Sequence, residues 1–580
     1  MVFKNPSLKS TYKFKYIKLI KLIALLIATF FATIFFLACV TVEELPVDYT
    51  TPPPLTTLDP HTPVPVPSPT PITASPTPLP SLPSPTPTPT PTPTHTPTPE
   101  PQEYVIINSA QELRSGLEAN LGGYFILGAN LSLENWMSMG TPANPFTGRL
   151  IAPLDEYGNP KYIIEYFSQS ANNLISGIDR NAIDFNARRY YGGIIGYSTG
   201  IIENILIEKA NINIYKPAAH YIEHFIVLGA IVGFSRGTVV NCHVGDGSIG
   251  IQNYGGTRPR VGMLVGEARG VNSVVKNSSA SGTLTIYSGT GAARAGGLVG
   301  LLFNRASVFN SRANVEVRLT SNAIFGVNAH GSASSGGLVA FTDRGATIAA
   351  SAAFGDVTTI GTRGATVYAG GLSGNTDATN FAPADITRWQ FNFVDNFATG
   401  NAVGITVGNA YVSGLIARIS DNAGTPSDIT IANNFSTGSA TIELNIDTAG
   451  YNGITPPASP NHYVAGIVSR IQSLTGSIIT IRNSFATGNI TNTPINNSDN
   501  RRGFLVGRIQ GNGKINVLNL FYYSDIIITG GNTNLNHLGD TGVPIAMSYL
   551  QNADWQQNTL DFNTDIWTLK GGYLPMLKLY

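Results

Sequence analysis

Cysteine is nearly absent from this chain. Cys39 and Cys242 are the two among 580 residues. Cys39 sits in the N-terminal segment and Cys242 in the body, so no disulfide framework holds the folded part. Cys242 lies in a strand-like stretch and reads as a small buried hydrophobe rather than a reactive thiol. Charge is scarce too: 12% of residues are charged, and 35 basic residues balance 35 acidic ones. Without a basic stripe the chain is not expected to bind nucleic acid. Low charge on a polar, uncharged background suits an extracellular β-rich protein.

Glycine, by contrast, is abundant at 61 residues, and much of it falls in one recurring phrase. The phrase reads Gly192-Gly-Ile-Ile-Gly196, Gly229-Ala-Ile-Val-Gly233, Gly262-Met-Leu-Val-Gly266 and Gly296-Gly-Leu-Val-Gly300. Looser copies begin at Gly336, Gly370, Ser413, Ala465 and Gly503, with spacings of 33 to 52 residues. A repeat of that period marks a solenoid, propeller or array. A second phrase follows many copies: Asn277-Ser-Ser-Ala-Ser-Gly282, Asn310-Ser-Arg-Ala313, Asn396-Phe-Ala-Thr-Gly400, Asn434-Phe-Ser-Thr-Gly438 and Asn483-Ser-Phe-Ala-Thr-Gly488. Between the phrases run partly alternating apolar stretches such as Ser477-Ile-Ile-Thr-Ile-Arg482, the pattern of half-buried strands. One such unit cannot bury its own apolar face and has to stack on the next. The expected consequences are axial stacks of Leu298 or Val299 and Leu338 or Val339. A side-chain ladder is expected through Asn277, Asn310, Asn396, Asn434 and Asn483.

The stretch before the repeats reads as a cover for the first coil. Glu103-Tyr-Val-Ile-Ile-Asn108 is a strand pattern, Ser109-Ala-Gln-Glu112 a capping box, and Leu113, Leu117 and Leu121 share one helix face. Gly122-Gly123 stops that helix, and a strand from Tyr124 leads to Trp136. The two repeated phrases, with this lead-in and Pro145-Phe-Thr-Gly148, resemble the GLUG motif of bacterial surface proteins and adhesins. The resemblance spans residues 103–580. It implies a β-solenoid and an association with adhesion, and it brings no catalytic residues. Residues 149–162, with Asp155 and Gly158-Asn-Pro160, depart from the family's glycine-rich turn and predict an irregular first coil. The ending, Asp561-Phe-Asn-Thr-Asp-Ile-Trp567 and Gly571-Gly-Tyr-Leu-Pro-Met-Leu577, resembles the closing segment of GLUG regions. It predicts a second cap, with Trp567 covering the last coil.

The N-terminus carries six lysines before residue 22 and then an uncharged apolar run over residues 22–42. That is a secretory signal or an uncleaved single-span anchor. Phe36-Leu-Ala-Cys39 resembles the lipobox of bacterial lipoproteins, which makes Cys39 the expected lipidation site. Phe36 departs from the usual aliphatic residue. Residues 46–101 are dominated by Pro, Thr and Ser, a tract that cannot pack a core and extends as polyproline II. At about 3.1 Å per residue it spans on the order of 170 Å.

Chemistry-bearing patterns are few. His220-Tyr-Ile-Glu-His224 fits the spacing in which two histidines hold zinc and a glutamate acts as base. His220, Glu223 and His224 are therefore the candidate metal residues, although Gly229 cuts short any helix and no further ligand is evident. A β-helix enzyme acting on polysaccharide would gather acidic and basic residues on one face. Asp343 with Arg344, Asp356 and Asp395 show no common register. Long insertions over residues 376–388 and 447–462 are either a candidate binding face, because per-repeat insertions emerge on one side, or idle surface loops.

The sequence thus predicts an all-β chain. Residues 1–39 form a lipoprotein-type signal or anchor, and 40–102 a disordered Pro/Thr/Ser-rich linker. An N-terminal strand-helix-strand cap and irregular first coil cover 103–190. A β-solenoid of GLUG-type repeats, nine in all, fills 191–530, and a C-terminal cap 531–580. The expected role is adhesion or ligand binding at a bacterial cell surface, with no catalytic residue and no cofactor. The expected partners are a membrane, held through the N-terminus, and a glycan or protein ligand not specified by the sequence. The competing reading is an extracellular β-helix enzyme acting on polysaccharide, or a zinc peptidase.

Overall fold

The fold was read from a computed structural model. It describes residues 103–178, 188–216, 225–253, 258–289, 292–322, 332–378, 386–421, 425–444, 460–473, 475–493, 499–530 and 542–579. All belong to the compact unit Thr96–Tyr580. The anchor, the stalk, Cys39, His220, Glu223 and His224 lie outside the described residues.

Among the described residues the chain winds as a stack of mostly parallel strands in three large sheets of 27, ten and nine strands, with a two-stranded antiparallel sheet near the C-terminus. The nine-stranded sheet receives one strand per repeat, from Ile195–Ser198 to Val506–Gly511. The ten-stranded sheet likewise receives one per repeat, from Arg188–Gly192 to Asp499–Gly503, plus the antiparallel Ile175–Ile178. Nine rungs result, matching the nine copies of the glycine phrase. The long sheet collects the rest of every repeat and the cap strands.

The glycine phrase is the corner between the two shorter sheets. Ala293–Gly296 ends one strand, Gly297 and Leu298 turn, and Val299–Phe303 begins the next. From Gly262 onward the first phrase position lines up rung over rung through Gly296, Gly336, Gly370, Ser413, Ala465 and Gly503. The first copy is offset: Gly192 pairs with Leu228 instead of Gly229. Small residues are required because the backbone doubles back on itself. A Cβ on Gly296 would stand 2.0 Å from the Val299 carbonyl oxygen. The next residue but one points into the shared interior. Leu298, Val299, Leu338 and Val339 are fully buried in the main core, as the repeat pattern requires. Corner backbone groups are satisfied between rungs. The Leu338 carbonyl accepts from the amides of both Leu298 (2.9 Å) and Val299 (3.0 Å). In the long sheet the alternation is direct. Along Arg312–Ser321, Ala313, Val315, Val317 and Leu319 are buried while Arg312, Asn314, Glu316 and Arg318 face out. Burying each Leu or Val contributes about 1.5–3 kcal/mol, available only when neighbouring rungs close over it.

The second phrase is a bend inside the long sheet, held by two parallel side-chain ladders. One column adopts left-handed backbone: Asn204, Asn241, Asn277, Asn310, Ala350, Asp395, Asn433, Asn483 and Asn519, with φ between 45° and 60°. Asparagine tolerates this conformation, and its amide can bond to the rung beside it. Asn310 donates to Asn277 (2.8 Å), Asn433 to Asp395 (3.0 Å), Asn483 to Asn433 (3.2 Å) and Asn519 to Asn483 (3.1 Å). Asn396 and Asn434, expected in this ladder, belong to the adjacent column. There each backbone amide donates to a side-chain oxygen one rung on. Ser278 N–H meets Ser311 Oγ (3.1 Å), Ser351 N–H meets Asn396 Oδ1 (3.0 Å), and Asn396 N–H meets Asn434 Oδ1 (2.9 Å). The left-handed residue turns the following amide away from the ordinary sheet ladder, and these oxygens take over as acceptors. Cys242 occupies a serine position in this column. It is fully buried, and burial pushes its thiol up to about 12.

At the N-terminal end, Val105–Ile107 pairs with Tyr124–Leu127, and the helix Ala110–Ala119 lies between them in sequence. Ser109 Oγ accepts from the Glu112 amide, and Glu112 accepts from the Asn108 amide. Leu113 and Leu117 are fully buried; Leu121 lies past the helix and packs on the core half-buried. The strands of this cap continue into the first rung through Arg149–Ile151, which pairs with Ile201–Glu203.

At the other end Val543–Ile545 adds a last strand to the long sheet. Trp567 does not cover the last coil. It lies along the flank against a row of stacked rings, Phe397, Phe435 and Phe485, whose centroids are 5.0 and 4.8 Å apart. The phenylalanines of the Asn-Phe phrases stack one per rung, and this leaves an apolar stripe that the C-terminal segment covers.

Candidate functional site

The re-entrant side of the glycine corner brings the two shorter sheets face to face, and the crease is filled with charged and aromatic side chains. Glu267 is fully buried there among Arg260 (2.5 Å), Arg269 (2.6 Å) and Arg189 (3.4 Å). Burial favours the protonated acid, but the three guanidiniums outweigh it and hold Glu267 well below the usual carboxylate range. Arg260 is pulled down by burial. The Glu267 carboxylate pulls the other way, while the charges of Arg189, Arg294 and Arg269 add to the lowering. Further along, arginines reach one rung back to tyrosine hydroxyls: Arg418 to Tyr368 (3.0 Å), Arg470 to Tyr411 (2.9 Å) and Arg508 to Tyr463. Each also stands over the ring it serves, 5.2 to 5.6 Å from the centroid. Asp499 closes the series with Arg501 (2.7 Å) and Arg508. This crease is a polar second core, in which buried arginines pack on aromatic rings and share the few carboxylates.

Two hollows open on the long sheet instead. One, of about 390 Å³, is lined by Ile386, Thr387 and Arg388, the tail of the first insertion, with Arg305, Thr347 and Asn392. Arg388 is fixed by Asp428 at 2.5 Å and by the Gly476 carbonyl at 2.9 Å. The second, of about 780 Å³, lies beneath the irregular loop of the first coil. Tyr157 to Pro160 line one side, and Asn241, His243, Asn277, Ser279 and Arg312 the other. Among the described residues no carboxylate lines either hollow.

The acidic residues weighed in the sequence do not come together. Asp343 is buried in the crease beside Arg344, whose guanidinium stands over the Phe303 ring. Asp356 is exposed and accepts from the Asn401 amide. Asp395 is a rung of the asparagine ladder. Residues 379–385 and 445–459 of the two insertions lie outside the described residues. Sequence reasoning flagged 149–162 as irregular but not as a wall of a hollow. Residues 157 and 312 are far apart in sequence, and only the rung register makes them neighbours. Among the described residues no group of three metal-binding side chains converges, and no helix is long and apolar enough to cross a membrane.

The class this fold defines is the parallel β-solenoid. No family model and no curated protein matches the chain. Among solved structures it resembles a proposed immunoglobulin A1 protease from Bacteroides ovatus, at 14% identity and a TM-score of 0.30. That match covers 83% of this chain and 94% of the other. At that distance the likeness carries no argument about activity.

Proposed function

We propose that this protein is a surface-displayed binding protein, an adhesin-like solenoid held away from a membrane by its Pro/Thr/Ser-rich stalk. The supporting observation is the outward face of the long sheet. One column runs Thr285, Arg318, Thr358, Val403, Thr441, Thr491 and Thr529 in consecutive rungs, each side chain exposed or half-exposed. Five of these seven are threonines, consecutive from Thr441 to Thr529, and hydroxyls spaced by rungs about 4.8 Å apart offer several similar weak contacts that sum through multivalency. The hollows on the same sheet are lined by amides, hydroxyls and arginines, groups suited to holding a ligand more than to proton transfer. The GLUG-like repeat supports the same reading. Lipidation at Cys39 supplies the anchor in this scheme and places the head outside a bacterial cell.

The test is a glycan and protein array probed with the full chain, read for retention and for released product. Retention without turnover is the expected result. Release of sugar or peptide products with turnover, or zinc bound stoichiometrically and lost in His220→Ala/His224→Ala, would replace this reading with an enzymatic one.

A further inference from the structure

The hollow beneath the first-coil loop has a structured roof and a polar floor. Its roof is a rigid hairpin. Asp155 Oδ1 accepts from the amides of Tyr157 and Asn159, both at 2.9 Å, and Asp155 N–H donates to the Asn159 carbonyl at 2.8 Å. Leu154 and Pro160 bridge across its base. The hairpin holds Tyr157 at its tip with 81% of its surface exposed, an apolar ring kept in water by a structured turn.

The floor interrupts the asparagine ladder. Asn241 donates to Asn204 at 3.0 Å, and Asn310 donates to Asn277 at 2.8 Å. Among the described residues no hydrogen bond joins Asn277 to Asn241. Asn241 Oδ1 and Asn277 Nδ2 are thus left as an unused acceptor and an unused donor, one rung apart, on the wall of the hollow. Beside them His243 Nδ1 meets Ser279 Oγ at 2.9 Å. Burial, and then the nearby charge of Arg312, hold this imidazole below its usual range and favour its neutral form. Arg312 forms no ion pair among the described residues, so its guanidinium is the one uncompensated charge lining the hollow.

We infer that this hollow binds an acidic saccharide unit, resting on the binding reading above. The unused amide acceptor and donor match adjacent hydroxyls of a pyranose. The free guanidinium matches a carboxylate in two-pronged geometry. The Tyr157 ring offers the flat apolar face on which a sugar ring lies. A neutral sugar would satisfy the amides and leave Arg312 unused.

The experiment measures binding of glucuronate and N-acetylneuraminate, with glucose as the neutral control, to the full chain in detergent by saturation-transfer NMR and calorimetry. The acidic sugars are expected to bind at least about tenfold more tightly than glucose. Arg312→Gln should remove that preference, Tyr157→Ala should weaken every sugar, and Lys514→Gln, an exposed cation that lines neither hollow, should change nothing. Equal binding of acidic and neutral sugars, or an acidic preference unchanged in Arg312→Gln, overturns the site. So does the absence of saccharide binding at millimolar concentration. If the chain still holds to array spots in any of those cases, the binding reading survives and the site alone fails. Loss of both retires the two together.

Discussion

The indole Nε1 of Trp567 donates to Asp395 Oδ1 at 2.9 Å, joining residues 172 positions apart. Asp395 stands three corners back from Asn519 in the left-handed column, so the C-terminal segment is a strap laid across several rungs. The same carboxylate accepts from Asn433, which couples the strap to the ladder.

Trp567→Ala should therefore loosen the stack over several rungs. Loss of a fully buried aromatic costs about 3–5 kcal/mol, and amide exchange should rise over both 547–579 and 389–398. Asp395→Asn, which keeps an acceptor, should cost about 1 kcal/mol. Exchange confined to the strap in Trp567→Ala would show that it carries no load for the rungs beneath.

Ala350 is the one residue of the left-handed column with no side-chain hydrogen-bonding group, at φ 48°. Ala350→Asn should relieve the backbone cost and extend the ladder from Asn310 toward Asp395. A gain of about 1 kcal/mol is expected, seen as a rise in the melting temperature. An unchanged or lowered melting temperature would mean the ladder hydrogen bonds are ornamental.

Glu267 has its folded pKa lowered relative to an ordinary glutamate. Its contribution is therefore fully present above about pH 5 and is lost as the pH falls through the depressed folded value. Glu267→Gln leaves three arginines without their carboxylate and should cost about 3–5 kcal/mol at neutral pH. The gap to the parent should narrow steadily below pH 4 in acid-titrated melts. A gap independent of pH would place the cost in packing rather than charge.

Cys242 is buried with its thiol shifted to about 12. In a Cys39→Ser chain, a thiol reagent at pH 8 should label nothing natively and one site after unfolding, counted by mass spectrometry. Rapid native labelling would mean that this rung opens.

The stacking was readable because it is periodic: Leu298 and Val299 recur with their glycines, and only a corner demands small residues at both ends of an aliphatic pair. The asparagine ladder was readable only in part. In Asp395-Asn396-Phe397 and Asn433-Asn434-Phe435 the left-handed position precedes the conspicuous asparagine by one residue. Asparagine and serine are interchangeable in the second column because either oxygen can accept the displaced amide. Trp567 was readable as a covering residue but not as a flank strap, since its partner ring stripe exists only once the rungs are aligned. The hollow under Tyr157 depends on contacts between rungs; in the Glu267 cluster Arg260 and Arg269 lie in the same repeat as Glu267, and only Arg189 is brought in from another rung.

The most direct test of the shared interior is hydrogen exchange on Leu298→Asp/Val299→Asp. If neighbouring rungs bury one another, protection should fall in the mutated rung and in the rungs on both sides, at 262–266 and 336–340, with a lowered melting temperature. An unchanged melting curve with loss confined to the substituted corner would contradict the account.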